Sequence, residues 1–255
     1  MLPLADRRIL VTRARGQASA LAAQLETLGA TAILIPAIEL ARPPFYDALD
    51  AALRSLGSFD WAIFTSSNAV QALVDRAQVL GLTPRARRIA AIGPATAKSV
   101  VDTGIADAVD LIPSQAVAES LAEALRPHAP GATMLLVRAA VARDVLPEAL
   151  VAAGATVTIA EAYRTVIPGK SVDAIRALFE SRPPDAITFT SASTAQNLVA
   201  LLAAASVTLP AGIVLASIGP ITSQAMRELN LEPSVQAREA SVAALATALA
   251  EWFTP

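Results

Sequence analysis

Phe64-Thr65-Ser66-Ser67-Asn68-Ala69-Val70 and Phe189-Thr190-Ser191-Ala192-Ser193-Thr194-Ala195 share one construction. In each, a short apolar run of strand character (Trp61 to Phe64; Ala186 to Phe189) stops at small hydroxyl residues, and a helical pattern begins at once. This reads as strand, tight turn, helix N-terminus. Ser, Thr and Asn accept hydrogen bonds from the unpaired N–H groups of a first helical turn, and that turn also attracts anions. Taken singly, such residues are only caps; their repetition raises them above that.

The two stretches lie 125 residues apart, and other landmarks keep the interval. Arg13 in Leu10-Val11-Thr12-Arg13 matches Arg138 in Leu135-Leu136-Val137-Arg138, and Gly29-Ala30-Thr31 matches Gly154-Ala155-Thr156. Ile92-Gly93-Pro94 matches Ile218-Gly219-Pro220 at 126. Four landmarks in one order, with a single-residue indel, identify an internal duplication.

Between the landmarks, strand and helix alternate. Strands are expected at Ile9–Thr12, Ala32–Ile35, Trp61–Phe64, Ile89–Ile92 and Val109–Ile112, and helices at Gln17–Leu28, Tyr46–Leu56, Asn68–Leu80, Pro94–Asp102 and Val117–Leu125. The second copy opens with a strand at Leu135–Val137, a helix at Arg143–Ala152 and an extended stretch at Thr156–Ile167, and then repeats the alternation. Short apolar strands alternating with helices argue for parallel sheets covered on both faces, about five strands per copy, in a flavodoxin-like arrangement. The uncharged run Leu198–Met226 has the length of a membrane span, but Ser206, Thr208, Pro210 and Gly212 break it into helix, loop and strand.

Composition narrows the chemistry. The 255 residues are 54% hydrophobic and 16% charged, enough for two cored domains. A net charge of −2 offers no basic field for nucleic acid. With no cysteine, disulfides and thiolate metal sites are excluded; a single histidine disfavours a zinc or Ser-His site, and no metal is expected. His128, between Pro127 and Pro130, reads as a surface loop residue. The stretch Met1–Arg8 lacks an apolar signal core, so a cytoplasmic address is expected.

Ligands of open α/β sheets bind beyond the carboxyl ends of the strands. Thr12-Arg13, Ser66-Ser67-Asn68, Gly93-Pro94-Ala95-Thr96, Arg138, Ser191–Thr194 and Gly219-Pro220-Ile221-Thr222 all fall there. Two such rims facing each other would make a cleft of about six helix N-termini, each with roughly half a positive charge, suited to a polyanionic ligand. No G-x-G-x-x-G or Walker-type loop points to a dinucleotide or nucleoside triphosphate.

These residues also carry a resemblance. Val11-Thr12-Arg13, Phe64-Thr65-Ser66 with Asn68-Ala69-Val70, Ile92–Ala97, Glu161-Ala162-Tyr163-Arg164, Phe189-Thr190-Ser191 and Ile218–Thr222 together resemble uroporphyrinogen-III synthases over nearly the whole chain. Two departures stand out: Ala139 follows Arg138 where glycine is common, and Ile221-Thr222 replaces paired threonines.

The resemblance implies closure of linear hydroxymethylbilane to uroporphyrinogen III, with inversion of the terminal pyrrole ring, loss of water and no cofactor. It also implies two flavodoxin-like domains on a two-stranded linker. One would comprise residues 1–36 plus 168–255 and the other 42–160, with 37–41 and 161–167 as linker strands. Tyr163 would assist departure of the hydroxyl, with a plain linker aromatic as the alternative. Thr222 and Thr96 would hydrogen-bond carboxylates or position the terminal ring, with capping as the alternative for both. Arg13, Arg138 and Arg143 would clamp carboxylates unless merely solvated. Thr12, Ser66, Ser67, Asn68, Gly93, Ser191, Ser193, Thr194 and Gly219 would present their turns to the substrate.

The expected partner is the small linear tetrapyrrole, with neither nucleic acid nor membrane. A monomer is expected, with transient contact to the upstream bilane-forming deaminase. A two-lobed binding protein for an anionic small molecule, and a sensor that keeps the fold without turnover, remain open at this point.

Overall fold

The computed structural model describes residues 2–12 and 15–254. In chain order the first half contains β1 (Arg8–Val11), α1 (Arg15–Thr27), β2 (Thr31–Leu34), β3 (Glu39–Ala41), α2 (Asp47–Arg54), β4 (Trp61–Phe64), α3 (Ser67–Val79), β5 (Ile89–Ala91), α4 (Pro94–Asp102) and α5 (Ala118–Leu125). The second half contains β6 (Thr133–Ala139), α6 (Val145–Ala152), β7 (Thr156–Val166), α7 (Gly169–Ser181), β8 (Ala186–Phe189), α8 (Ala192–Ala205), β9 (Val214–Ser217), α9 (Pro220–Glu228), β10 (Val235–Gln236) and α10 (Val242–Phe253). The uncharged run from Leu198 resolves into the end of α8, β9 and most of α9. Among the described residues no helix is long and apolar enough to cross a membrane.

The chain forms two compact units, residues 1–39 with 166–255 and residues 40–165. The first unit holds a five-stranded sheet in the order β10-β9-β8-β1-β2, the second one in the order β3-β7-β6-β4-β5. The sequence copies are therefore interleaved. β1 and β2 of the first copy pair with β8 to β10 of the second, while β6 and β7 of the second pair with β4 and β5 of the first. The register is preserved through the exchange: Leu10 faces Ile187 in one unit, and their counterparts Leu135 and Ala62 face each other in the other, both in parallel pairs.

Side-chain alternation along each strand supplies two apolar faces. In the second unit Phe64, Leu135, Val137, Ala160 and Ala162 pack against Leu49, Val70, Leu73 and Ala77 from α2 and α3. On the opposite face, Trp61, Ile63, Met134 and Leu136 meet Leu121, Leu125, Leu146 and Leu150 of α5 and α6. The first unit is built alike, with Ile9 and Val11 facing Leu21, Leu25, Leu245 and Leu249, and Leu10, Ile187 and Phe189 facing Ile175, Leu198 and Leu201.

Two elements differ from expectation. Val109–Ile112 is reduced to a single bridge, Leu111 to Ala90. The Asp110 carboxylate accepts the Ile89 N–H at 2.7 Å and takes over a ladder bond, and Pro113 ends the segment. Helix α6 starts at Val145 rather than Arg143, because Arg143 and Asp144 belong to a loop tied back to Arg138.

Candidate active site

In the second unit, the turn from β4 into α3 places its hydroxyls as the sequence suggests. Ser66 is the N-cap in extended conformation, and its Oγ accepts the Ala69 N–H at 3.1 Å. Ser67 Oγ donates to the Ala95 carbonyl at 3.1 Å, fastening the start of α3 to the start of α4. Helix α4 has Gly93 as N-cap and Pro94 in its first turn. A Cβ on Gly93 would lie 3.1 Å from that of Ala116, so even a methyl group would press on the neighbouring loop.

Tyr163 reaches this turn from β7. A bulge shifts the β6–β7 register, so that Arg138 pairs with Glu161 but Ala139 with Tyr163, and the Ala140 N–H donates to the Tyr163 carbonyl at 2.8 Å. The extra residue puts Tyr163 on the α3 side together with Ala160 and Ala162, where its hydroxyl lies 3.1 Å from Ser66 Oγ. A cavity of about 410 Å3 opens beside it, with Leu40, Arg42, Tyr46, Asn68, Arg76 and Tyr163 among its lining residues. On its wall Arg76 bonds Asp50 through two 2.7 Å contacts and stacks 4.0 Å over the Tyr46 ring. Those two donated hydrogen bonds hold the Asp50 carboxyl below the usual aspartate range.

Arg138 and Arg143, the two arginines expected at the site in this unit, are engaged within the chain. Arg138 is buried; it donates to the Arg143 carbonyl at 3.2 Å and to the Asp144 carboxylate at 2.8 Å, and its buried Nε has no partner among the described residues. It anchors the loop after β6 more than it presents an open clamp. Arg143 is exposed and pairs with Glu119 at 2.7 Å; the Glu119 backbone N–H first, and Arg143 after it, hold that carboxyl below its ordinary value.

In the first unit, Ser191 caps α8 by accepting the Thr194 N–H, and its Oγ lies 2.8 Å from Thr194 Oγ1 and 2.9 Å from Ser193 Oγ. Gly219 caps α9, and the buried Ser217 hydroxyl donates to its carbonyl at 2.9 Å. Thr222 is buried, as is its repeat counterpart Thr96, whereas Ile221 is 81% exposed on the rim. Thr12 is buried, with no hydrogen-bond partner for its hydroxyl among the described residues, and Arg13 lies outside them.

The family model for uroporphyrinogen-III synthase HemD matches residues 19–247. The chain belongs to the uroporphyrinogen-III synthase family. It is thereby placed among the cyclising hydro-lyases of haem and tetrapyrrole biosynthesis. It is 34% identical to the uroporphyrinogen-III synthase of Synechococcus elongatus over 98% of this chain and 97% of that one. A putative uroporphyrinogen-III synthase of Methanothermobacter thermautotrophicus is 31% identical, covering 94% and 98%. The fold is similar to that of a mutant uroporphyrinogen III synthase from Thermus thermophilus, with a TM-score of 0.62 at 19% identity over 94% of this chain and 96% of the other. The Helicobacter pylori uroporphyrinogen-III synthetase gives 0.57 at 17% identity, covering 97% and 99%.

Of the cavity wall, the sequence points to Asn68 and Tyr163 only. Arg42, Tyr46, Asp50 and Arg76 belong to no motif in the sequence. The available clue was helical spacing from Asn68, since Ala72, Arg76 and Val79 share its face of α3 and line the cavity with it. The serine–tyrosine bond had no clue in the sequence, because it depends on the bulge.

Proposed function

We propose that the chain closes linear hydroxymethylbilane to uroporphyrinogen III, inverting the terminal pyrrole ring and releasing water, with Tyr163 as the acid that assists the leaving hydroxyl. The observation that carries this is the Tyr163 phenol, held 3.1 Å from the Ser66 cap at the start of α3 and lining a cavity in the size range of small-molecule sites. A proton passes from Tyr163 Oη to the departing oxygen, the carbon–oxygen bond breaks, and water leaves with the electron pair. The resulting azafulvene cation is stabilised by its own pyrrole nitrogen, so the protein supplies only modest acid assistance and holds the chain folded. Closure then runs through a spirocyclic intermediate. No step requires a cofactor.

The carboxylates of the substrate are assigned to the helix starts. In the second unit the N–H groups around Ser66, Ser67, Asn68, Gly93 and Thr96 serve this role, and in the first unit those around Ser191, Ser193, Thr194 and Gly219. Thr222, in the first turn of α9, orients the ring; Thr12, directly after β1, and Arg13, which lies outside the described residues, are assigned to the carboxylates; and Arg143 offers an exposed cation. Arg138 acts by holding its loop. We further assign the protein a cytoplasmic location, a monomeric state and a transient encounter with the bilane-forming deaminase; light scattering and cross-linking with that enzyme test the last two.

The decisive experiment supplies hydroxymethylbilane and separates the product isomers. Spontaneous closure gives the uninverted isomer I, so isomer III above background supports the assignment. Isomer I alone would leave a binding or sensor role.

A further inference from the structure

Among the described residues Ser66 Oγ has two hydrogen-bond neighbours, the Ala69 N–H and Tyr163 Oη, each at 3.1 Å. A hydroxyl has one proton to give and two lone pairs to receive. With one lone pair engaged by Ala69, either the phenol donates to the serine or the serine donates to the phenol. In the first arrangement the tyrosine proton is turned away from the cavity and spent on the cap. In the second it is left for a ligand.

Three features favour the second. The Ala69 N–H, by donating to Oγ, polarises the serine O–H and makes it the better donor. The positive end of α3 favours electron density on the oxygen nearest to it. The repeat supplies a third, independent one. In the other unit the equivalent cap oxygen, on Ser191, lies 2.8 Å from the Thr194 hydroxyl, but the position of Thr194 is occupied here by Ala69. Alanine removes the local hydroxyl that would compete for the cap serine, and Tyr163 takes its place.

We propose that Ser66 is a positioning residue for proton transfer: its O–H donates to Tyr163 Oη, which directs the phenol's own proton into the cavity beside α3. The inference rests on the function proposed above and extends it. After Tyr163 gives its proton to the leaving hydroxyl, the serine bond holds the phenolate. The α-carbon proton that the terminal pyrrole loses on ring closure returns the phenol to its starting state, so no proton is gained or lost over the cycle apart from those in the released water.

Three substitutions separate donation from capping. Ser66→Thr keeps both a cap oxygen and a proton to donate. Ser66→Asp keeps the cap but has no proton to give. Ser66→Ala has neither. Single-turnover closure of hydroxymethylbilane at saturating enzyme, with the isomer ratio as readout, should slow isomer III formation by about 5-fold in the Ala and Asp variants, the effect of one hydrogen bond, with Thr restoring most of it. Ser66→Ala added to Tyr163→Phe should cost nothing more, since the serine acts through the phenol.

The chain has only two tyrosines, Tyr46 and Tyr163, so a 13Cζ tyrosine label gives two resonances. That of Tyr163 should move in the Ala and Asp variants and stay in Thr, while Tyr46 is constant. An Asp variant as active as Thr would reduce Ser66 to a cap and overturn the proposal, as would losses that multiply in the double variant. A wild-type protein yielding isomer I alone would overturn the function itself, and the Tyr163 resonance would still report whether the serine bond exists.

Discussion

The turns that start α3 and α8 come from the same repeat, yet they have diverged in what their cap serines touch. Ser191 closes on its own turn through Thr194 and Ser193. Ser66 reaches out of its turn to Tyr163, a residue whose repeat counterpart is Ile38. The same contrast runs along the neighbouring helices. The Asp50–Arg76 pair beside the cavity corresponds to Ile175 and Leu201 in the first unit, both fully buried in one apolar cluster. Duplication delivered two equivalent scaffolds; one filled this region with hydrocarbon, and the other kept it polar and open. Divergence at these three positions, Tyr163 for Ile38, Asp50 for Ile175 and Arg76 for Leu201, is what distinguishes the second unit beside its cavity.

The strongest way to break that comparison is Tyr163→Phe. A positioned general acid is worth about 10²–10⁴ in rate, and the low end applies because the leaving group departs readily even in water. Isomer III formation should slow by roughly 10- to 100-fold, and isomer I should accumulate, with the fold unchanged by circular dichroism. Wild-type isomer ratios would return Tyr163 to a plain strand aromatic and erase the functional difference between the units.

Most of the scaffold behind this contrast was readable in the sequence, because periodicity and turn chemistry are local. Trp61–Phe64 is the strand expected, Pro94–Asp102 the helix expected, and Ser66 and Ser191 are the N-caps. What the residues alone did not reveal depends on pairings distant in sequence. The bulge between Arg138 and Ala139 decides which face Tyr163 occupies, and no local pattern encodes it. The internal engagement of Arg138 follows from a loop folding back on it, and no local pattern in the sequence encodes those bonds to the Arg143 carbonyl and Asp144. Val109–Ile112 has strand composition but loses its ladder to the carboxylate of Asp110.

Arg138→Ala sharpens the comparison next. The side chain makes a charge-assisted bond to Asp144 and a second to the Arg143 carbonyl from a buried position, so truncation should cost about 2 kcal/mol in chemical denaturation. Protease cleavage should increase first within residues 139–144. If the loop stays protected while closure of the bilane collapses, Arg138 meets the substrate directly.

A smaller effect is expected from Ser191→Ala. Loss of a serine N-cap typically costs about 1 kcal/mol, and Ser191 should show that in thermal unfolding along with a modest rise in KM. Its backbone donors survive, and no tyrosine depends on it, so the isomer ratio at saturating substrate should remain that of the parent. A shift toward isomer I as large as that of Ser66→Ala would make the two turns functionally equivalent and sink the distinction.

The smallest effect on stability, and the most informative about why the units diverged, should come from rebuilding one cavity wall after the other unit: Asp50→Ile combined with Arg76→Leu. Ion pairs replaced as a pair by apolar residues of similar volume are often neutral or stabilising, whereas removing one partner leaves a charge stranded. The double variant should therefore unfold near the parent's midpoint at neutral pH, and Asp50→Ile alone should fall below it. The pH dependence separates the cases further. Arg76 holds the Asp50 pKa below its unfolded value of about 3.9, so the pair's contribution is present above that value and is lost as pH falls through the lowered folded one. The parent should thus lose stability over that acid window more steeply than the double variant, which has no carboxyl there to protonate. If the double variant keeps its stability but binds the carboxylate-rich bilane more weakly, the pair was retained for the cavity and not for the fold. Unchanged binding would assign the polar wall to drift after duplication.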